Sequence, residues 1–253
     1  MPAFQRGISP MIVTDNQTGT NVAEIADGIF RINTPIPPSA MPGGFSFNQY
    51  LICGEEPLLF HTGPRALFTQ VKDAIEAVLP AQRLHYVAFS HVEADECGTL
   101  NQLLALAPHA QPLCGQIATM VSIGDLADRP PVALNDGETR LLGPHRVRWL
   151  DAPHLPHGWE CGYLFEESTA TLLCGDLFTQ PGAGAVPLTR GDILTPSEAF
   201  RRQMDYFSHS PQTPSLLAKL AATKPQRLAC MHGSAWEGDG AALLKALGES
   251  LQT

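Results

Sequence analysis

Apolar residues alternate with polar ones along residues 22–33 and 45–53, and many are β-branched or aromatic, which predicts early strands. Between them, Pro35-Ile36-Pro37-Pro38 and Pro42-Gly43-Gly44 predict a loop whose Met41 and Phe45 would overhang a site. Leu58-Leu59-Phe60 reads as a short buried strand that stops at His61-Thr62-Gly63. Residues 66–79 carry helical spacing and end at Pro80. A strand over 84–89, a helix over about 98–106, a strand over 111–114 and a helix over 116–123 follow. Residues 141–174 read mostly as strands (147–150, 162–165, 171–174), and 179–196, with Pro181-Gly182-Ala183-Gly184, as a long loop of the lid or binding kind. Helices are predicted over 197–207, 214–222 and 239–251, with a strand over 227–231. No repeat or low-complexity linker interrupts the chain. The expectation is one α/β domain over residues 1–253, with two sheets packed together and helices outside.

Composition narrows the partners. The chain has 253 residues, 44 % of them hydrophobic and 16 % charged, enough to bury a core without disulfide staples. A net charge of −9 argues against nucleic acid and anionic membrane surfaces. The six cysteines (53, 97, 114, 161, 174, 230) form no C-x-x-C pair and read as buried free thiols of a reducing compartment. The opening MPAFQRGISP lacks the layout of a signal peptide, and no run approaches a membrane span, so the expected location is cytoplasmic.

The chemistry lies where strands stop. Ser90-His91-Val92-Glu93-Ala94-Asp95-Glu96-Cys97-Gly98 places four metal-capable side chains within six residues, directly after an apolar run. His154, Asp176 and His232 each follow a further strand-like run. Loops at strand ends gather functional groups because the sheet holds their bases fixed, so these seven point to a two-metal centre. Taken singly, each has a plainer reading: Asp95 or Glu96 could cap the next helix and Asp176 could be a turn residue. No H-E-x-x-H is present, which argues against helix-borne zinc proteases.

At these motifs the chain resembles the metallo-β-lactamase superfamily, and within it the diiron domain of flavodiiron proteins. Their first motif, H-x-E-x-D-H-S-G, is similar to His91 through Gly98. Asn48-Gln49-Tyr50-Leu51-Ile52, Ala152-Pro153-His154-Leu155-Pro156, Leu173-Cys174-Gly175-Asp176-Leu177-Phe178 and Met231-His232-Gly233-Ser234-Ala235-Trp236 resemble further family segments. The resemblance implies a four-layer αββα sandwich. It also implies that His91, Glu93 and His154 bind one metal, that Asp95, Glu96 and His232 bind the other, and that Asp176 bridges. Two positions depart from the pattern. Glu96 stands where the family has histidine, and either ligates or leaves the second metal weakly held. His61 replaces the aspartate of D-T-G and is expected to orient a ligand. His157 competes with His154, and the family's proline register favours His154.

Four carboxylates (Glu93, Asp95, Glu96, Asp176) would balance two divalent ions, and hard oxygen donors with imidazole suit iron, with zinc or manganese as alternatives. Added anionic ligands make hydroxide harder to generate at neutral pH and favour higher oxidation states. The leading expectation is a non-haem diiron protein that binds or reduces O₂ or NO. It has no flavin in this chain, because the expected flavodoxin domain is missing, and its electrons come from a separate donor protein. The alternatives are a binuclear metal-dependent hydrolase of a small-molecule ester, thioester, phosphoester or lactam, and a diiron gas or redox sensor. A homodimer is left open.

Overall fold

The computed structural model describes residues 11–252; the expectation about a signal peptide in residues 1–10 lies outside them. Eight strands form the first sheet in chain order: β1 (Ile12–Asp15), β2 (Thr20–Ala26), β3 (Ile29–Ile36), β4 (Phe45–Ile52), β5 (Leu58–Phe60), β6 (Tyr86–Ala88), β7 (Gln111–Gly115) and β8 (Val132–Leu134). The second sheet is built from β9 (Thr139–Leu141), β10 (Arg146–Asp151), β11 (Gly162–Glu166), β12 (Thr171–Gly175), β13 (Leu188–Thr189), β14 (Arg227–Cys230) and β15 (Ala235–Glu237), in the order β13-β15-β14-β12-β11-β10-β9. Pairs β1 to β5 are antiparallel and β5 to β8 parallel, and β12 runs parallel to β14.

Alternation puts Ile29, Tyr50, Ile52, Phe60, Ala88 and Leu113 of the first sheet against Val147, Trp149, Leu164, Leu173 and Ala229 of the second, and this is the inner core. The outer face of the first sheet is covered by α1 (Phe68–Glu76) and α3 (Leu100–Leu106), the former through Val71, Ala74 and Ile75. These spacings of three and four put the three side chains on one stripe of the helix. The outer face of the second sheet is covered by α6 (Leu194–Met204), α7 (Thr213–Ala222) and α8 (Gly240–Ser250). Asp239 caps α8 by accepting from the Ala242 amide, and α7 opens with Pro214, where a missing N–H costs nothing. Shorter helical pieces include α2 (Ala94–Cys97) and α4 (Gln116–Ala118), the latter running through a π turn (Thr119–Ile123) into α5 (Gly124–Leu126). The expected αββα sandwich is observed.

Several details differ from the sequence expectations. Residues 22–33 are not one strand but the hairpin β2–β3, turned at Asp27-Gly28, with Gly28 at φ +66°. The helix expected from residue 98 has a separate turn before it, so Asp95 and Glu96 ride on α2. The 179–196 loop carries the two-residue strand β13 and the start of α6.

Polar side chains stitch the sheets together at one end. Tyr50 Oη donates to the Cys230 carbonyl (2.7 Å), and Asn48 Nδ2 donates to the carbonyls of Cys230 (2.9 Å) and Gly233 (2.8 Å). Arg31 is fully buried beside them and donates from Nη2 to the carbonyls of Gly184 and Gly233, both at 2.7 Å. Burial without a carboxylate partner lowers its pKa to about 10.

Candidate metal centre

The site forms where five strands end. His61 follows β5, the His91–Glu96 segment follows β6, residues 152–161 follow β10, Asp176 follows β12, and His232 follows β14. The turn α2 is fixed from below: the Thr62 and Gly63 amides donate to the carbonyls of Glu96 (2.8 Å) and Asp95 (2.9 Å). Gly98 closes this turn, and a Cβ there would fall 2.1 Å from the Ala94 carbonyl oxygen, so no other residue fits.

Three sets of ligand atoms lie within 4.8 Å of one another: His91–His157–Asp176, His91–Glu93–Glu96 and Asp95–Glu96–His232. His91 Nε2 stands 3.6 Å from Asp176 Oδ2 and 3.9 Å from both Glu93 Oε1 and Glu96 Oε2. His157 Nε2 is 3.1 Å from Glu93 Oε1 and 3.5 Å from Asp176 Oδ2. His232 Nε2 is 3.3 Å from Asp176 Oδ1 and 3.5 Å from Asp95 Oδ2. Asp176 thus faces all three imidazoles.

The other ring nitrogens are occupied. His157 Nδ1 donates to the Tyr206 carbonyl (2.8 Å), and His232 Nδ1 to the Ser46 carbonyl (2.8 Å). A carbonyl only accepts, so both rings carry their proton on Nδ1 when neutral and turn the Nε2 lone pair into the site. His91 Nδ1 lies 2.9 Å from Ser90 Oγ, which lies 3.0 Å from His61 Nε2. Among the described residues, His61 thus reaches His91 through Ser90 and belongs to none of the three ligand sets.

Among the described residues, five buried atoms of the site lack a hydrogen-bond partner: His91 Nε2, His157 Nε2, Asp176 Oδ1 and both Glu96 oxygens. Each such orphan costs about 1–3 kcal/mol, and these five face one space together with Glu93, Asp95 and His232. Nitrogen lone pairs and carboxylates without donors are what cations require, so the residues present fit a pair of metal ions.

The titration shifts of the cluster follow burial and the neighbouring charges. Burial, and then Asp176 and Asp95, push the Glu96 carboxyl well above its usual range. Burial also works against the charge of Asp176, but His232, His91 and His157 hold its carboxyl far below normal. His157, whose Nε2 is 3.1 Å from Glu93 Oε1, comes first among the causes that lower Glu93. Burial lowers His91, and lowers His61 to about 3, so His61 is a neutral imidazole.

Six of the seven expected site residues converge, and His154 does not. It is exposed with φ +64°, its amide donates to the Gly158 carbonyl, and it belongs to none of the three ligand sets. His157 takes the place at the centre, its ring 4.5 Å from that of His91. Gly158 allows this approach, because a Cβ there would lie 3.1 Å from His91 Cβ. In this structure the proline register and the clustering of side chains point to different histidines, His154 and His157. A usable signal was the pair His157-Gly158, which repeats the pair His232-Gly233 at the other ligand loop.

Phe45 overhangs the site as expected, its ring 4.3 Å from His232. Sequence reasoning missed the other aromatics. Phe200 stacks on Phe45 at 5.8 Å, and Tyr206 lies 6.2 Å from Phe200 and 6.1 Å from His157. A chain of rings therefore runs from His232 round to His157.

A family model described as ODP family beta lactamase matches residues 45–233. Coenzyme F420H(2) oxidase of Methanothermobacter marburgensis is 27 % identical over 145 residues, which are 54 % of this chain and 35 % of that protein. Rubredoxin oxygen:oxidoreductase of Desulfovibrio gigas superposes with a TM-score of 0.79 at 21 % identity, over 92 % of this chain and 62 % of that one. The Flv1 flavodiiron core of Synechocystis sp. PCC6803 gives 0.75 at 20 % identity, over 92 % and 61 %. At such identities the two structures speak to the fold alone. The chain spans 24 to 41 % of the length of the curated relatives it matches.

Proposed function

This chain belongs to the ODP beta-lactamase family, and from that premise we propose that it is a binuclear non-haem iron protein that binds or reduces a diatomic gas, O₂ or NO. One observation carries the reading: three imidazoles present Nε2, with the second nitrogen of each engaged, to four carboxylates around a space lined by orphaned polar atoms. His91, His157 and Glu93 would hold one ion, Asp95, Glu96 and His232 the other, with Asp176 between them. Four anionic donors against three neutral ones suit iron over zinc, and leave bound water a poorer nucleophile than a hydrolase needs. The name of one relative, an F420H(2) oxidase, supports redox chemistry over hydrolysis.

Iron, when bound, would supply electrons and open positions for the gas. The protein supplies the rest. Ser46, Ser90 and Tyr206 fix the three rings through their hydrogen bonds, so the donors are aimed before any ion arrives. The rings of Phe45, Phe200 and Tyr206 line an apolar wall that keeps water off one side and suits a small, uncharged ligand. Electrons would reach the centre from a separate donor. The cysteines are all free thiols, in keeping with a reducing, cytoplasmic setting, and among the described residues no helix is long and apolar enough to cross a membrane.

The test is metal analysis of protein purified without chelators, with optical spectra taken before and after exposure to O₂. Iron with an oxygen-sensitive visible band is expected. Stoichiometric zinc with turnover of a chromogenic ester would replace this reading by the hydrolase, and reversible O₂ binding without consumption beside a reductase would replace it by a sensor.

A further inference from the structure

We propose that Glu96 is a second bridge of the metal centre, one carboxylate oxygen serving each ion. The proposal rests on the binuclear reading above and goes beyond it, because the family pattern gives position 96 a histidine, a ligand with one free nitrogen and hence one ion.

Three observations carry it. Glu96 belongs to two ligand sets, one with His91 and Glu93 and one with Asp95 and His232, so its carboxylate lies at the seam between the two halves of the site. Both of its oxygens are buried without a partner, whereas a one-ended ligand would leave the second free for a donor from the fold. The side chain is 0 % exposed and rises from α2, whose Glu96 and Asp95 carbonyls accept from the Thr62 and Gly63 amides, so its base is held at the seam. Asp176 has the same relation to the halves, with Oδ2 toward His91 and His157 and Oδ1 toward His232. The centre then has two carboxylate bridges, and each ion shares two ligands with its neighbour. Asp95, next to Glu96, is confined to the second set and serves as the one-ion control.

The experiment titrates the metal-free full chain with Mn²⁺ alone, reading free ion from its six-line EPR signal. Wild type takes up two equivalents. Asp95→Asn weakens one equivalent at least tenfold and leaves the other within threefold. Glu96→Gln weakens both at least tenfold, and Glu96→His restores only one of them. Circular dichroism and thermal unfolding of each metal-free variant confirm that the fold persists. If Glu96→Gln loses one equivalent and spares the other, as Asp95→Asn does, the bridge is overturned while the binuclear centre stands. If the wild type binds fewer than two equivalents, centre and bridge fall together.

Discussion

Glu96 and Glu166 are both 0 % exposed, yet their surroundings are opposite. Glu166 accepts five hydrogen bonds, from His145, from the amide and hydroxyl of Ser168, and from the amide and hydroxyl of Thr169. Burial works against its charge, but these donors bring its pKa down to about 2. Glu96 has no donor facing either oxygen, and burial together with neighbouring carboxylates pushes it up instead. A carboxylate buried among donors is a knot in the fold: here it ties β11 to the turn that follows and to His145 before β10. One buried among other carboxylates and imidazole lone pairs is unfinished until a cation arrives.

The contrast can be broken in several ways. Stripping metal has the largest expected effect, because two tightly held ions stabilise by about 4 kcal/mol each at a thousandfold excess over Kd. For a chain of this size the loss lowers Tm by on the order of 10–20 °C. Calorimetry before and after chelation measures it, and an unchanged Tm would mean that the orphaned atoms do not hold ions. Next comes His157→Ala, expected to lose at least one ion per chain, while His154→Ala keeps the full complement; elemental analysis of the two variants reads the difference, and the reverse ordering would restore the proline register.

Glu166→Gln should leave metal content unchanged and cost about 2 kcal/mol of stability at neutral pH, since hydrogen bonds to a charged acceptor are lost. Its pH dependence has a definite sign. A folded pKa below the usual carboxylate range means that the stabilisation is complete above about pH 4.5 and disappears as pH falls toward about 2. Denaturant melts of metal-free wild type and Glu166→Gln between pH 2 and 6 should therefore converge at the acid end. Curves that stay parallel would show that Glu166 is not held by these donors.

The same contrast explains how much could be read from the sequence. The candidate ligands from His91 to Glu96 are nearly consecutive and follow an apolar strand, so chain order alone exposes them. Asp176 and His232 follow β12 and β14 within two residues, and the strand end announces them. The loop after β10 is longer. Its candidate ligand is chosen by the path of the backbone, which turns at His154 and uses Gly158 to bring His157 onto His91. Proline spacing carries no information about that turn. Strands β1, β8, β9, β13 and β15 escaped because they have two to four residues each and are only partly buried, too short for alternation to register. Arg31 and Tyr206 were invisible for another reason: their partners are backbone carbonyls and ring faces far away in the chain.

The most direct test is the metal-to-chain ratio of protein purified anaerobically without chelators, taken together with its Mössbauer spectrum. Two iron ions per chain are expected, in carboxylate- and imidazole-rich coordination and oxidised on exposure to O₂. A folded protein that holds no iron, even after anaerobic reconstitution, would contradict it.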